Sequence, residues 1–285
     1  MNRKKWMALA LMAAMSLSVV TGCGGKKQDT AATNTTELSG KITASGSTAL
    51  LPLLKPAAEE FQKLHPKVTV NVSGGGSFTG QNQVASGAVN IGNSDVPVAA
   101  ELKDKGLKEF PCVVAPFVFI VNKDVTVDNL SSAQYVDILT GKITNWKEVG
   151  GADEKITLIH RAKSSGSRAT IAEVVLKGAS FTDDAIIQDS NGAVRSAIVS
   201  TPGSIGYVDS PYADASVKVL KYNGVEYKSE NVINKSYPVF ATPRMITKGE
   251  PDSLTKAFID FVLSKEFQEK YAVENKFIPI TQLAK

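Results

Sequence analysis

The sequence predicts an α/β protein, and three observations carry that prediction. From residue 40 onward, short β-rich runs alternate with helical stretches, the pattern of sheets covered by helices. Three of these strand-to-helix switches carry a cluster of Gly, Ser and Thr. Two longer apolar stretches, 113–121 and 237–246, are suited to strands that cross between two lobes.

The elements follow in chain order. Arg3, Lys4 and Lys5 open a basic start, and the apolar run 6–20 spans 15 residues. That is short of the roughly 20 needed for a bilayer-spanning helix, so 1–22 reads as an export signal. The run ends at Val20-Thr21-Gly22-Cys23, which resembles the lipobox of bacterial lipoproteins. Cleavage there leaves Cys23 as the first residue and the site of lipidation; the plain alternative is a secretory peptide with an incidental cysteine. Residues 24–39 hold one large apolar residue, Leu38, and show no hydrophobic period, so 23–39 is expected to be a lipidated Cys on a flexible leash.

Strands are predicted at 41–44, 68–72 and 155–160. A first helix is expected several residues after Thr48, because Pro52 and Pro56 interrupt the face shared by Leu50, Leu53, Ala57, Phe61 and Leu64. His65, just before Pro66, reads as exposed punctuation at its end. Ser131 and Gln134 have capping-box spacing ahead of Tyr135, Ile138 and Leu139, with Gly141 as the stop. Leu254, Ala257, Phe258, Phe261 and Val262 form an apolar stripe behind the cap candidates Asp252 and Ser253. The crossing stretches divide the folded part into a split first lobe, 40–116 plus 241–285, and a continuous second lobe, 117–240.

Composition excludes several classes. With 43% hydrophobic and 21% charged residues the chain is neither disordered nor fibrous. Of its formal +4 charge, three come from the basic start, so the exported protein is near +1 and no nucleic acid partner is expected. Only Cys112 remains beside Cys23, which leaves no internal disulfide once Cys23 is lipidated; Cys112 is expected to be a buried small hydrophobe.

Enzymatic motifs fail in turn. The two histidines, His65 and His160, belong to no HExxH, and no CxxC occurs, so no metal site is expected. There is no GxxxxGK[ST], and the glycine run at 74–76 misses GxGxxG at its last position. No GxSxG elbow is present.

What remains is the three polar clusters, at 45–48, 73–77 and 164–167. A helix N-terminus offers unpaired N–H groups and about half a positive charge, and ligands of open α/β sheets sit at the carboxyl ends of strands. One cluster alone would be a cap and a turn; three that converge would bind an anion. Arg161, at the end of a predicted strand, can present a bidentate fork to an oxyanion. Asp95 ends another short strand. A carboxylate beside an anion is repulsive unless the anion carries a proton it can accept, which selects a protonated oxyanion. Singly, Asp95 could cap a turn and Arg161 could form a surface ion pair.

These motifs carry a resemblance. GST at 46–48, GGGS at 74–77 with Gly80, NIGNSD at 90–95, TGKITNWKEVGG at 140–151, His160-Arg161 with SGS at 165–167, TPGSIGYV at 201–208 and KAFIDFVLS at 256–264 are similar to the phosphate-binding lipoproteins of bacterial high-affinity phosphate ABC transporters. The resemblance implies a two-lobed periplasmic-binding-protein fold (type II), with a ligand cleft between lobes joined by two crossover strands. It implies inorganic phosphate as ligand, no cofactor, and no catalysis. It implies as phosphate ligands Ser47, Thr48, the backbone N–H of Ala49, Ser77 and Asp95 from one lobe, and Arg161, Ser165, Gly166 and Ser167 from the other. Phe78 stands where a small residue is usual, and Ser167 where Thr is common.

The expected protein is a monomer on the outer face of the cytoplasmic membrane. It is held there by a multiply acylated (palmitate-bearing) Cys23 and hands phosphate to the transmembrane permease subunits of an ABC transporter. Another tetrahedral oxyanion, such as sulfate or molybdate, remains an alternative ligand. A secreted serine hydrolase using His160 remains an alternative of another class.

Overall fold

The computed structural model describes residues 37–283. The expected signal at 1–22, Cys23 and most of the expected leash lie outside the described residues. In chain order, β1 (Gly40–Gly46), α1 (Leu51–Leu64), β2 (Val68–Gly74), α2 (Ser77–Ser86) and β3 (Ile91–Ser94) are followed by β4 (Leu107–Pro111) and the long β5 (Val113–Val121). The middle of the chain forms β6 (Asn129–Leu130), α3 (Ser132–Leu139), β7 (Thr157–Arg161), α4 (Gly166–Ile171), β8 (Ile186–Gln188), α5 (Asn191–Ser200) and β9 (Ser204–Asp209). After β10 (Lys218–Val219), β11 (Lys221–Tyr222) and α6 (Ser229–Ile233), the chain returns through β12 (Phe240–Ala241) and β13 (Arg244–Lys248). It closes with α7 (Ser253–Leu263), α8 (Lys265–Phe267) and β14 (Ile278–Pro279).

Two sheets result. The first has the order β2-β1-β3-β13-β4, with β1 parallel to β2 and β3, and β13 antiparallel to both its neighbours. The second has the order β10-β5-β9-β7-β8. Strand β5 spans both regions: Val113–Pro116 pair with β14 and β12, while Phe117–Val121 pair with β9 and β10. Every residue of β5 is buried, which explains why it reads as an unbroken apolar run rather than an alternating one. Phe117 and Phe119 pack with Tyr135, Trp146 and Tyr207 on one face of the second sheet. Val118 and Ile120 pack with Val194 and Ile198 on the other. The first sheet has its own core, centred on Leu53, Phe61, Met245 and Phe258. The mixed sheets with helices on their faces are the predicted α/β class.

The caps form where the sequence places them. Ser131 and Gln134 make both bonds of a capping box, and Gly141 ends the helix region at φ 79°. Asp252 accepts from the Thr255 N–H to start α7. The α7 stripe is rotated from the expected one: Thr255, Phe258, Ile259 and Val262 are buried, whereas Leu254, Ala257 and Phe261 are half-buried against the core.

Helix α1 also differs. It starts three residues after Thr48 and runs through Pro56. Pro52 sits in the first turn, where its missing N–H costs nothing. The N–H that Pro56 lacks would have reached the carbonyl of Pro52 in that same turn, and burial of Leu53, Leu54, Ala57, Ala58 and Phe61 holds the helix on its sheet. Leu64 leaves the expected face and is 64% exposed. His65 is half-buried, its ring 4.6 Å from that of Phe61, rather than exposed. Cys112 is fully buried, and burial pushes its thiol up to about 12.

Candidate functional site

Four strand ends of the two sheets bring the charged and hydroxyl side chains together. β1 delivers Ser47 and Thr48, β2 delivers Ser77 through the glycine turn, β3 delivers Asp95, and β7 ends in Arg161. The turn after β7 adds Ser165, Gly166 and Ser167. All nine residues expected at the site are buried.

Asp95 is the meeting point. Ser47 Oγ donates to its Oδ1, and Ser167 Oγ, from the second sheet's side, donates to Oδ2 at 3.3 Å. Ser77 Oγ accepts from the Asp95 N–H at 2.9 Å and so holds the turn that aims the carboxyl. Arg161 Nη1 donates to Ser167 Oγ at 3.4 Å, and its Nη2 to the Asp189 carbonyl at 2.9 Å. Arg161 Nε is buried with no partner. The guanidinium is therefore anchored at one edge and keeps donor capacity at another.

The electrostatics are those of a buried site. Burial raises the Asp95 carboxyl above its ordinary value, while Ser47, Arg161, Ser167 and Ser77 pull it back. Burial lowers Arg161, and the negative charge of Asp95 opposes that. Helices α1 and α2 carry no side-chain cap and no acidic residue in the first turn, so their amino ends keep positive character. Ser165 caps α4 by accepting from the Arg168 N–H at 3.2 Å. Its hydroxyl proton stays free to donate.

Two glycines let the halves approach. Gly76 has φ 94°, and a Cβ there would stand 2.6 Å from the Ser164 carbonyl oxygen across the cleft. A Cβ on Gly166 would collide with the Ser77 hydroxyl and lie 2.9 Å from Asp95 Cβ. The Phe78 N–H donates to the Ser164 carbonyl at 3.1 Å. Phe78 thus joins the halves through its backbone, with its ring half-buried. One expected donor is otherwise engaged: the Ala49 N–H donates to Ser47 Oγ at 3.0 Å.

His160 lies beside the site without entering its network. Its Nδ1 is 2.6 Å from Arg168 Nη1, its ring stacks on Phe181, and burial lowers it to about 4. Among the described residues, no group of three or more His, Cys, Asp or Glu could hold a metal ion.

Sequence reasoning missed Asn191, Tyr212, Asp209 and the Asp189 carbonyl. Residues 189–191 form a fourth strand-to-helix junction, between β8 and α5. The rule applied to the other three clusters would have found it. Asp209 ends β9 just as Arg161 ends β7. It is fully buried, neither carboxyl oxygen has a hydrogen-bond partner, and burial, then the charge of Asp95, raises it well above its ordinary value.

Comparison with known proteins gives a consistent picture. The PBP superfamily domain matches residues 30–266. Phosphate-binding protein PstS of Bacillus subtilis is 39% identical over 99% of this chain and 96% of its own length. PstS of Borreliella burgdorferi is 30% identical over 80% of this chain and 86% of its own. Among solved structures, a Clostridium perfringens protein described as a phosphate ABC transporter substrate-binding protein, with bound phosphate, superposes with a TM-score of 0.81. It is 35% identical and covers 85% of this chain and all of that one.

Proposed function

This chain belongs to the phosphate-binding proteins of the periplasmic binding protein superfamily, and from that premise we propose that it captures inorganic phosphate outside the cytoplasmic membrane and delivers it to the permease subunits of an ABC transporter. The observation that carries the proposal is the pairing of a buried Arg161 with a buried Asp95 from opposite halves of the cleft, bridged by Ser167. Arginine supplies charge-assisted donors to an oxyanion. The aspartate accepts the proton that phosphate carries and sulfate lacks.

Ser47, Thr48, Ser77, Asp95, Arg161, Ser165, Gly166 and Ser167 surround the ligand. Ala49 contributes by fixing Ser47, and its N–H turns to the ligand only if Ser47 lets go. The closing bodies are 40–116 with 241–285, and 117–240. Phosphate bridges donors on both and so binds the closed state better than the open one, as ligand-driven closure requires. No cofactor is needed, and the protein binds without catalysing. The unit acts as a monomer tethered to the membrane by lipid on Cys23.

Calorimetry with phosphate, sulfate and molybdate, paired with a hydrolysis assay on phosphate esters, tests the proposal. Tight phosphate binding with weak response to the other anions and no turnover is expected. Preference for sulfate or molybdate, or ester hydrolysis at the purified protein, would overturn it.

A further inference from the structure

Thr48 is gripped from the opposite half of the cleft by two residues outside the anion-binding set. The N–H of Asn191 and its Nδ2 donate to Thr48 Oγ1 at 3.3 and 3.1 Å. Tyr212 Oη donates to the Thr48 carbonyl at 2.6 Å. The orientation of the Asn191 amide is dictated locally, because its Oδ1 accepts from the Asp209 N–H at 3.1 Å. Its Nδ2 is thereby turned to Thr48. Asn191 is fully buried and Thr48 is 5% exposed.

Two consequences follow. With both acceptor positions of Oγ1 occupied, the Thr48 hydroxyl proton is left to donate toward the anion. Asn191 and Tyr212 reach Thr48 across the cleft, so these bonds exist only while it is closed.

We propose that Asn191 and Tyr212 are positioning residues of the phosphate site: they latch Thr48 in the closed form and set how fast phosphate leaves. The inference rests on the phosphate-capture reading of the same cleft. A latch that touches no ligand changes the population of the binding-competent state, and so scales the apparent affinity for every ligand of the site alike. It acts on release rather than on encounter, because encounter precedes closure.

The test is stopped-flow and calorimetric titration of the full-length chain with phosphate and with arsenate, in wild type, Tyr212→Phe, Asn191→Asp and Tyr135→Phe. Tyr135 is the control: its hydroxyl donates to the Lys221 carbonyl at 2.9 Å, a bond that does not involve Thr48. Losing one net hydrogen bond predicts a release rate about 3- to 10-fold faster for Tyr212→Phe. Association should stay within about twofold of wild type, since affinity changes of this kind fall mainly on release. Arsenate should weaken by the same factor as phosphate. Asn191→Asp, which replaces the Nδ2 donor by an acceptor facing Thr48 Oγ1, should release faster still, and it provides the reading if Tyr212→Phe fails to fold. Wild-type release rates in both variants, or a changed phosphate-to-arsenate ratio, would overturn the latch. A wild-type chain that binds no phosphate would instead overturn the functional reading beneath it.

Discussion

Replacing Asp95 by Asn tests the origin of ligand choice. The side chain is 3% exposed, and its two oxygens already accept from Ser47 and Ser167. A carboxylate offers about four acceptor positions, so two remain to face the ligand. A phosphate hydroxyl fills one. Sulfate at neutral pH has no proton to offer and sets two negative groups against each other in a buried site. Sites built to pair a ligand hydroxyl reject analogues lacking it by roughly 10⁴ to 10⁵, or about 5.5 to 7 kcal/mol at 1.4 kcal/mol per tenfold. The amide of Asp95→Asn can donate to a sulfate oxygen, which removes most of that penalty. The phosphate-to-sulfate ratio should therefore fall by at least about 10², mainly through tighter sulfate binding.

The pH dependence has a definite sign. Burial raises the Asp95 carboxyl, so as pH falls it gains a proton earlier than a free aspartate would. Wild-type sulfate binding should then strengthen toward low pH, while the Asn variant shows no such trend. Titrating both anions against both proteins from about pH 5 to pH 9, a range that begins above the ordinary carboxyl value of about 3.9, reads the ratio directly. A variant that excludes sulfate as strongly as wild type would refute the mechanism, even with phosphate as the ligand.

Three further outcomes are expected. Arg161→Ala should cost phosphate binding about 2 to 5 kcal/mol by leaving the buried anion without its charged donor, whereas Lys177→Ala, at an exposed helix end, should bind as wild type; equal affinities would remove Arg161 from the site. Cys23→Ala should shift the protein out of the membrane fraction with phosphate binding intact, and persistent membrane association would refute lipid tethering. Asp209 holds its proton more tightly folded than unfolded, so its stabilising contribution is complete below the ordinary aspartate value of 3.8 and is lost as pH rises through the raised folded value. In phosphate-free buffer, Asp209→Asn should flatten that loss. Each tenfold in proton affinity is about 1.4 kcal/mol, or about 3–6 °C in melting temperature for a chain of this size. An unchanged slope of melting temperature against pH would show that Asp209 is not the group responsible.

The α/β class, the capping box of α3 and the Asp252 start of α7 were legible because each depends on neighbours within a few residues. The same holds for the polar clusters, where Gly, Ser and strand ends sit side by side in the chain. Ser47, Asp95, Arg161 and Ser167 could be nominated from such local signals, and they meet in one network. Their meeting required the resemblance, since residues 47 and 167 share no local period.

Other features depended on what packs against what. Whether α1 survives Pro56, and on which side Leu64 falls, is decided by how the helix seats on its sheet. Phe78 stands where a small residue is usual, and what it does is decided by packing: it acts through a backbone N–H to which the approach of Ser164 gives a partner. Asn191 and Tyr212 carry no motif that points to Thr48, 143 and 164 positions earlier. A chain encodes its own turns and caps through short-range sterics and hydrogen bonds, but a contact across a cleft is set by the joint geometry of two sheets, which no single stretch of sequence contains.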